Sequence, residues 1–202
     1  MGPTEVFVSR QSRVLTGLTW VVALLVAGGF AAAGDLAQFA LAAVATALGA
    51  LAAWALFWRP RVEVSDGGVL LVNVLRTIHV PWPVFVEARP SWSLEVSTTT
   101  RRWSAWSAPR PSATSTTLRR GHRADAGCGD TAAAAPIGGR ATADVVAASI
   151  TRRHDALLAA GHLDGARRTA EQHGLREQIT WHRTTIAAAL VLATTAVALT
   201  VF

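Results

Sequence analysis

Residues 14–58 read VLTGLTWVVALLVAGGFAAA, then Gly34-Asp35, then LAQFALAAVATALGALAAWALFW. Val14 to Ala33 carries no charge over 20 residues, and Leu36 to Trp58 carries none over 23. A helix needs about 20 predominantly apolar residues to cross the hydrocarbon core of a bilayer. Both runs reach that length, and only Gly34 and Asp35 separate them, so the pair reads as a tight transmembrane helical hairpin. A third charge-free run, Thr184 to Phe202, has 19 residues and reads as a third span. Core helices of soluble proteins seldom run this long without a charge. Small residues (Gly28 and Gly29, and the alanines of 40–53) let such helices approach closely in lipid. A competing reading of the first run is a cleaved signal peptide, with Arg10 and Arg13 as its basic flank and Ala31-Ala32-Ala33 as the small-residue site. The length of the run and the second span that follows at once favour a retained helix.

The remaining composition agrees. Of 202 residues, 51% are hydrophobic and 16% charged, against about 25% charged in ordinary soluble domains. That apolar content excludes a disordered chain. The single cysteine, Cys128, excludes a disulfide scaffold. All 19 basic residues are arginine, and lysine and tyrosine are absent. This is the mark of a GC-rich genome, so the net charge of +6 does not by itself point to nucleic acid. A basic face beside anionic lipid accounts for it.

The arginines also set an expected orientation. Arg10 and Arg13 precede the first run, and every other arginine lies between Arg59 and Arg183. Arginine-rich flanks stay cytoplasmic. One topology satisfies them all: a multi-pass plasma-membrane protein with its N-terminus and residues 59–183 inside, and the hairpin turn and C-terminus outside. Arg13, Trp58, Arg59, Trp181 and Arg183 are the expected anchors at the membrane interface, where arginine and tryptophan collect. Trp20, inside the first run, reads as lipid contact or helix packing.

After a cytoplasmic N-terminus (1–13) and the spans 14–33 and 36–58, residues 60–108 read as six short strands. Val62 and Val64 alternate with Arg61, Glu63 and Ser65, and Asp66-Gly67-Gly68 supplies a hairpin signal. Val69–Val74 is a buried-type run. Ile78, Val80 and Trp82 form the next apolar face, followed by Val84, Val86 and Ala88, then Trp92, Leu94 and Val96. Arg101–Ser107 is the sixth strand. Trp82 and Trp106 are expected in the core. Arg101, Arg102 and Trp103, beside a turn, form the candidate interaction surface. The pattern specifies a small antiparallel barrel or sandwich.

Residues 109–140, rich in Pro, Gly, Ala, Ser and Thr, read as a flexible linker or insert with a weak strand at Ala113–Leu118. Residues 141–161 read as an amphipathic helix completing the domain. Thr142 is its cap, Asp144 sits in its first turn, and Val146, Ile150 and Leu157 form its apolar stripe. Gly161 is its stop. Residues 162–183 read as a juxtamembrane helix leading into the span 184–202. The fold class is α+β: three transmembrane helices with a cytoplasmic β-domain closed by one helix.

Three stretches carry a family resemblance: Arg61-Val-Glu-Val-Ser-Asp-Gly-Gly-Val, Asn73-Val-Leu-Arg-Thr-Ile-His-Val-Pro-Trp82, and Ser104-Ala-Trp106. Placed after two spans, they resemble the bacterial PH-like domain of small membrane proteins from high-GC Gram-positive bacteria, the low-molecular-weight protein antigen type among them. The resemblance covers about residues 45–108, and more loosely the helix from Ala141. It implies two bent antiparallel sheets closed by a C-terminal helix, and it implies no particular chemistry. Lipid-binding PH domains of eukaryotes place basic residues in the first hairpin loop. Here that loop is Asp66-Gly67-Gly68, which argues against phosphoinositide recognition through it.

Catalytic motifs are absent. A phosphate loop needs a lysine, and the Gly-x-Ser-x-Gly turn does not occur. No catalytic residue and no cofactor is expected. His122 and Cys128 flank a glycine-rich loop near Asp125 and Asp130, but zinc needs at least three converging ligands. The Thr114–Thr117 cluster before Arg119 and Arg120 is a candidate phosphorylation site. The expectation is therefore a non-enzymatic scaffold with a PH-like module. Its partners are the bilayer and a membrane-associated protein, without nucleic acid, and a homo-oligomer is compatible with it. Two alternatives are a metal-dependent enzyme built on the His122/Cys128 loop, and a component of an oligomeric transport assembly. The second is disfavoured because the spans hold no ionisable residue at depth.

Overall fold

The computed structural model describes residues 2–109 and 142–201. The apolar runs form helices where hydropathy places them. Helix α1 (Arg10–Ala33) starts at Ser9, whose hydroxyl accepts from the Ser12 N–H. Helix α2 (Leu36–Ala53) starts at Asp35, whose carboxylate accepts from the N–H groups of Ala37 and Gln38. Asp35, the one charge in the hairpin turn, therefore also caps the second helix. A single π-helical turn, Trp54–Trp58, extends α2. Three segments are long and apolar enough to cross a membrane: Ser12–Ala33, Leu36–Trp58 and Arg183–Val201. Their outward side chains, such as Leu24, Leu25, Leu190 and Val191, are exposed because lipid is their solvent. Inside the hairpin, Trp20 Nε1 donates to the Ala50 carbonyl at 3.2 Å, so Trp20 packs between helices.

The six expected strands are present as β2 (Arg61–Ser65), β3 (Gly68–Val72), β4 (Arg76–Pro81), β5 (Phe85–Pro90), β6 (Ser93–Thr98) and β7 (Arg102–Pro109). Two further strands are β1 (Glu5–Phe7) and β8 (Gln178–Trp181). They build two antiparallel sheets, ordered β1-β2-β3-β4-β8 and β5-β6-β7. Neither β1 nor β8 follows from local pattern. Glu5-Val-Phe7 is too short to show periodicity, and Gln178–Trp181 is exposed throughout. Tertiary pairing makes them strands: β1 lies along β2 with Phe7 opposite Val62, and β8 lies along β4 with Ile179 opposite Ile78. The expected juxtamembrane helix over 162–183 is thus corrected to a short helix, α4 (Ala166–Gln172), followed by a strand.

Helix α3 (Ala143–Ala159) buries Ala143, Val146, Ala147, Ser149 and Ile150, and it packs across β5, β6 and β2. Thr142 sits at its N-cap position without a side-chain bond, while Asp144 lies in the first turn. Gly161, at φ 72°, lets the His162 N–H reach back to the Leu157 carbonyl and stop the helix. The core joins both sheets to this face. Val62, Val64, Val69, Leu71, Ile78, Val80, Leu94 and Val96 are buried beside Trp82, Phe85 and Trp103. Trp82 stands edge-on to Phe85, ring centroids 5.4 Å apart, and its Nε1 donates to the Ser65 carbonyl. It lies in a 3-10 turn, Trp82–Val84, rather than in the strand before it.

Three side-chain expectations are corrected. In β7 the inward set is Trp103, Ala105 and Ser107, because Trp103 and Ala105 stand opposite Val96 and Leu94, both fully buried. Trp106, three residues from Trp103, therefore points outward and is 57% exposed. In β5 a bulge between Phe85 and Glu87 shifts the phase. Phe85 turns inward and Val86 outward. Strand β6 starts at Ser93, leaving Trp92 exposed in the turn before it. The expected linker, the weak strand at Ala113–Leu118, the His122/Cys128 loop and the Thr114–Thr117 cluster fall at 110–141, outside the described residues.

Candidate functional site: a collar at the membrane junction

Each span joins the five-stranded sheet almost directly. Strand β1 reaches α1 through Val8 and Ser9, the π-helical turn reaches β2 through Arg59 and Pro60, and β8 reaches helix α5 (Arg183–Val201) through His182 alone. Pairing of β1 with β2 puts residues 2–9 and the domain at the same end of the hairpin. The sheet therefore stands on the helices with Phe7, Arg61, Arg76 and Trp181 at its foot. The Asp66-Gly67 turn is one β2 length away, about 16 Å for five residues.

Arginine and tryptophan line this foot. The Arg13 guanidinium lies 5.3 Å from the Trp58 ring, which stacks on Trp20. Arg59 lies 5.2 Å from the Trp54 ring and donates to the Thr185 hydroxyl at 2.7 Å, tying the second span to the third. Arg76 sits near two rings, Trp103 at 5.1 Å and Trp181 at 5.8 Å. Such contacts hold a guanidinium over apolar surface while its edge stays free to donate. Arg13, Arg59, Arg76 and Arg183 make no ion pair with a carboxylate among the described residues. Burial, then the neighbouring Arg61 charge, lowers the Arg59 pKa. Arg183 and Trp181 are exposed beside the start of α5.

His182 is the node of the collar. It is buried, and its N–H donates to the Leu75 carbonyl. Nδ1 faces the Val74 carbonyl at 3.2 Å, so that nitrogen carries the proton. Nε2 then accepts from the Thr77 hydroxyl at 2.8 Å. Burial lowers the His182 pKa; the Val74 bond opposes this in part, and the Arg59 charge adds a smaller lowering. The folded protein thus favours neutral His182. The unfolded chain takes up a proton as the pH falls through about 6.5. Stability from neutral burial is full above that value and declines below it, levelling off once the folded form also protonates. Thermal unfolding in detergent from pH 7.5 to 5 is expected to show this decline, and His182→Gln to flatten it. An identical slope for the variant excludes His182 as the group responsible.

Asn73 fastens the second sheet to the same level. Its Nδ2 donates to the Ser104 carbonyl, and its Oδ1 accepts from the Trp106 N–H. Trp106 Nε1 donates to the Leu56 carbonyl at 3.0 Å, inside the second span. Asn73, Arg76 and Thr77 all belong to the motif that carried the resemblance, yet their roles were not legible there. Each acts on a partner 27 to 105 residues away.

The expected surface of Arg101, Arg102 and Trp103 does not form as drawn. Arg101 and Arg102 are exposed, but Trp103 is 5% exposed and belongs to the core. The far end of the domain is closed by the chain itself. Arg153 pairs with Asp66 at 2.7 Å and donates to the Gly2 and Pro3 carbonyls, while Glu5 accepts from Ser149. Among the described residues no three His, Cys, Asp or Glu side chains converge as a metal site.

No curated protein and no solved structure matches the chain. Residues 59–135 match the family model described as a bacterial PH domain, and so the domain that stands on these three apolar helices is similar to bacterial PH domains.

Proposed function

We propose that the protein is a non-enzymatic membrane scaffold that presents its PH-like domain, in a fixed orientation, as an interaction module at one leaflet. The carrying observation is the continuity of β1, β2 and β8 with the three apolar helices through two, two and one residues. A loosely tethered domain raises the effective concentration of a binding site. A domain welded at three points also dictates which face looks at the bilayer and which looks away. Arginines without carboxylate partners at the foot suit an anionic leaflet, each contributing about 1 kcal/mol there. The arginine distribution supports the cytoplasmic leaflet of the plasma membrane as that surface. The first hairpin loop is acidic, points away from the foot and is bound by Arg153 and residue 2. Protein contact suits that end better than a headgroup.

Lengthening the Arg59–Pro60 and His182 junctions with flexible Gly-Ser segments tests this reading. Photo-crosslinkers at Arg101 and Arg102 in the native membrane are expected to capture a defined neighbour in the wild type and to lose it in the lengthened protein. A neighbour retained after lengthening excludes fixed presentation. Turnover of a small molecule by the purified full chain excludes the non-enzymatic reading.

A further inference from the structure

We infer that the β5–β6 turn, Pro90 to Ser93, is a fourth membrane contact: a shallow wedge in which Trp92 enters the headgroup–acyl boundary without crossing the bilayer. This rests on reading the three apolar helices as spans. Trp92 is 89% exposed, more than any other large apolar side chain among the described residues. A tryptophan wholly in water gains nothing from its large apolar body, and the membrane interface is the environment that suits both its ring and its N–H.

The register of the second sheet fixes the height of this turn. The register shifts between Ser93, opposite Pro109, and Leu94, opposite Ala105, and the Ser93 hydroxyl lies 2.7 Å from that of Ser104, whose carbonyl accepts from Asn73 at the foot. Two residues before Pro109, Ser107 lines a small cavity with Leu56 and Phe57 of the second span. The adjacent Trp106 bonds the Leu56 carbonyl. The opposite end of the sheet is tied to the far side of the domain. There Thr99 N–H donates to the Val84 carbonyl and the Thr100 hydroxyl donates to Glu177, ahead of the distal start of β8. Strands β6 and β7 therefore run between membrane and far end, with the Pro90–Ser93 turn at the membrane side. Because β5 is the edge of its sheet, the turn overhangs lipid rather than the helix bundle.

Residues 90–94, Pro-Ser-Trp-Ser-Leu, carry no charge. Arg89, bridged to Glu87 at 2.8 Å and well exposed, stands at the edge of the turn where headgroup phosphates lie. Unpaired backbone in a turn cannot enter the hydrocarbon core, so the contact stays at the boundary.

The test uses the full chain in nanodiscs of mixed neutral and anionic phospholipid. In a Cys128→Ser background, a nitroxide is placed at Ser91→Cys, which retains Trp92, and separately at Gly67→Cys at the far hairpin. Collision with oxygen relative to a water-soluble nickel chelate is expected to be several-fold higher at 91 than at 67. Adding Trp92→Ser is expected to bring the label at 91 down to the value at 67. Equal ratios at the two sites overturn the wedge, including the case in which a protein partner normally covers Trp92. A high ratio that survives Trp92→Ser overturns the role of the tryptophan. Alkaline carbonate extraction of the same chain reports on the spans separately, so their failure is distinguishable from failure of the wedge.

Discussion

Trp103→Ala is expected to destabilise the protein by about 3–5 kcal/mol, the range for deleting a buried tryptophan. The ring is 5% exposed and stands opposite Val96, so truncation opens a cavity between the two sheets. The same change removes one of the two rings beside Arg76. The guanidinium then loses a surface between β7 and β8, and the loss reaches the foot of the third span. Trp103→Phe separates packing from polarity. Trp103 Nε1 is buried with no partner among the described residues, and an orphaned donor costs about 1–3 kcal/mol. Phenylalanine keeps much of the apolar contact and relieves that penalty, so it is expected to cost much less than alanine. Thermal unfolding in detergent gives the ranking, and amide exchange at Gln178–Trp181 shows whether β8 loosens. Wild-type stability of the alanine variant would restore an exposed Trp103.

Gly68→Ala is expected to cost at least about 1–3 kcal/mol, the range for an L-residue held in a sparsely populated backbone region, and to reduce accumulation of folded protein sharply. Gly68 has φ 146° and opens β3 directly after the Asp66-Gly67 turn. A Cβ there would lie 2.3 Å from the Val80 carbonyl oxygen, and backbone cannot swing aside as a side chain can. Relief requires opening the β3–β4 pair, where Gly68 faces Pro81. Gly67→Ala is the matched control. Its nearest neighbour would be the Ser65 hydroxyl at 3.8 Å, so it is expected to be close to neutral. Equal effects at 67 and 68 rule out the steric account and leave only a general dependence on glycine in the turn.

Both variants test features that local pattern could half show. Alternation in β2 and β4 correctly assigned Val62, Val64, Ile78 and Val80 to the core. It failed in β7, where tryptophans at 103 and 106 fall on opposite faces and composition gives no reason to choose between them. The choice belongs to β6, whose buried Leu94 and Val96 select Trp103 and Ala105. Alternation also failed in β5, because a bulge is a mismatch between two strands and leaves no mark in either one alone. Arg13, Trp58, Arg59, Trp181 and Arg183, expected as anchors from the pattern alone, all lie at the foot of the sheet. His182, Asn73 and Arg76 were not expected there, since each owes its role to a long-range partner.

By itself, the sequence determined three membrane-length helices, their hairpin, and a six-stranded module with a closing helix. Those are consequences of hydropathy, length and period, properties that a segment carries wherever it sits. Tertiary structure alone decided that Glu5–Phe7 and Gln178–Trp181 are strands, which tryptophan is buried, and that the domain is welded to its helices. Edge strands with weak propensity take their hydrogen bonds from whichever neighbour is presented. Here β2 and β4 present it, and that pairing joins the sheet to the three apolar helices through junctions of one or two residues.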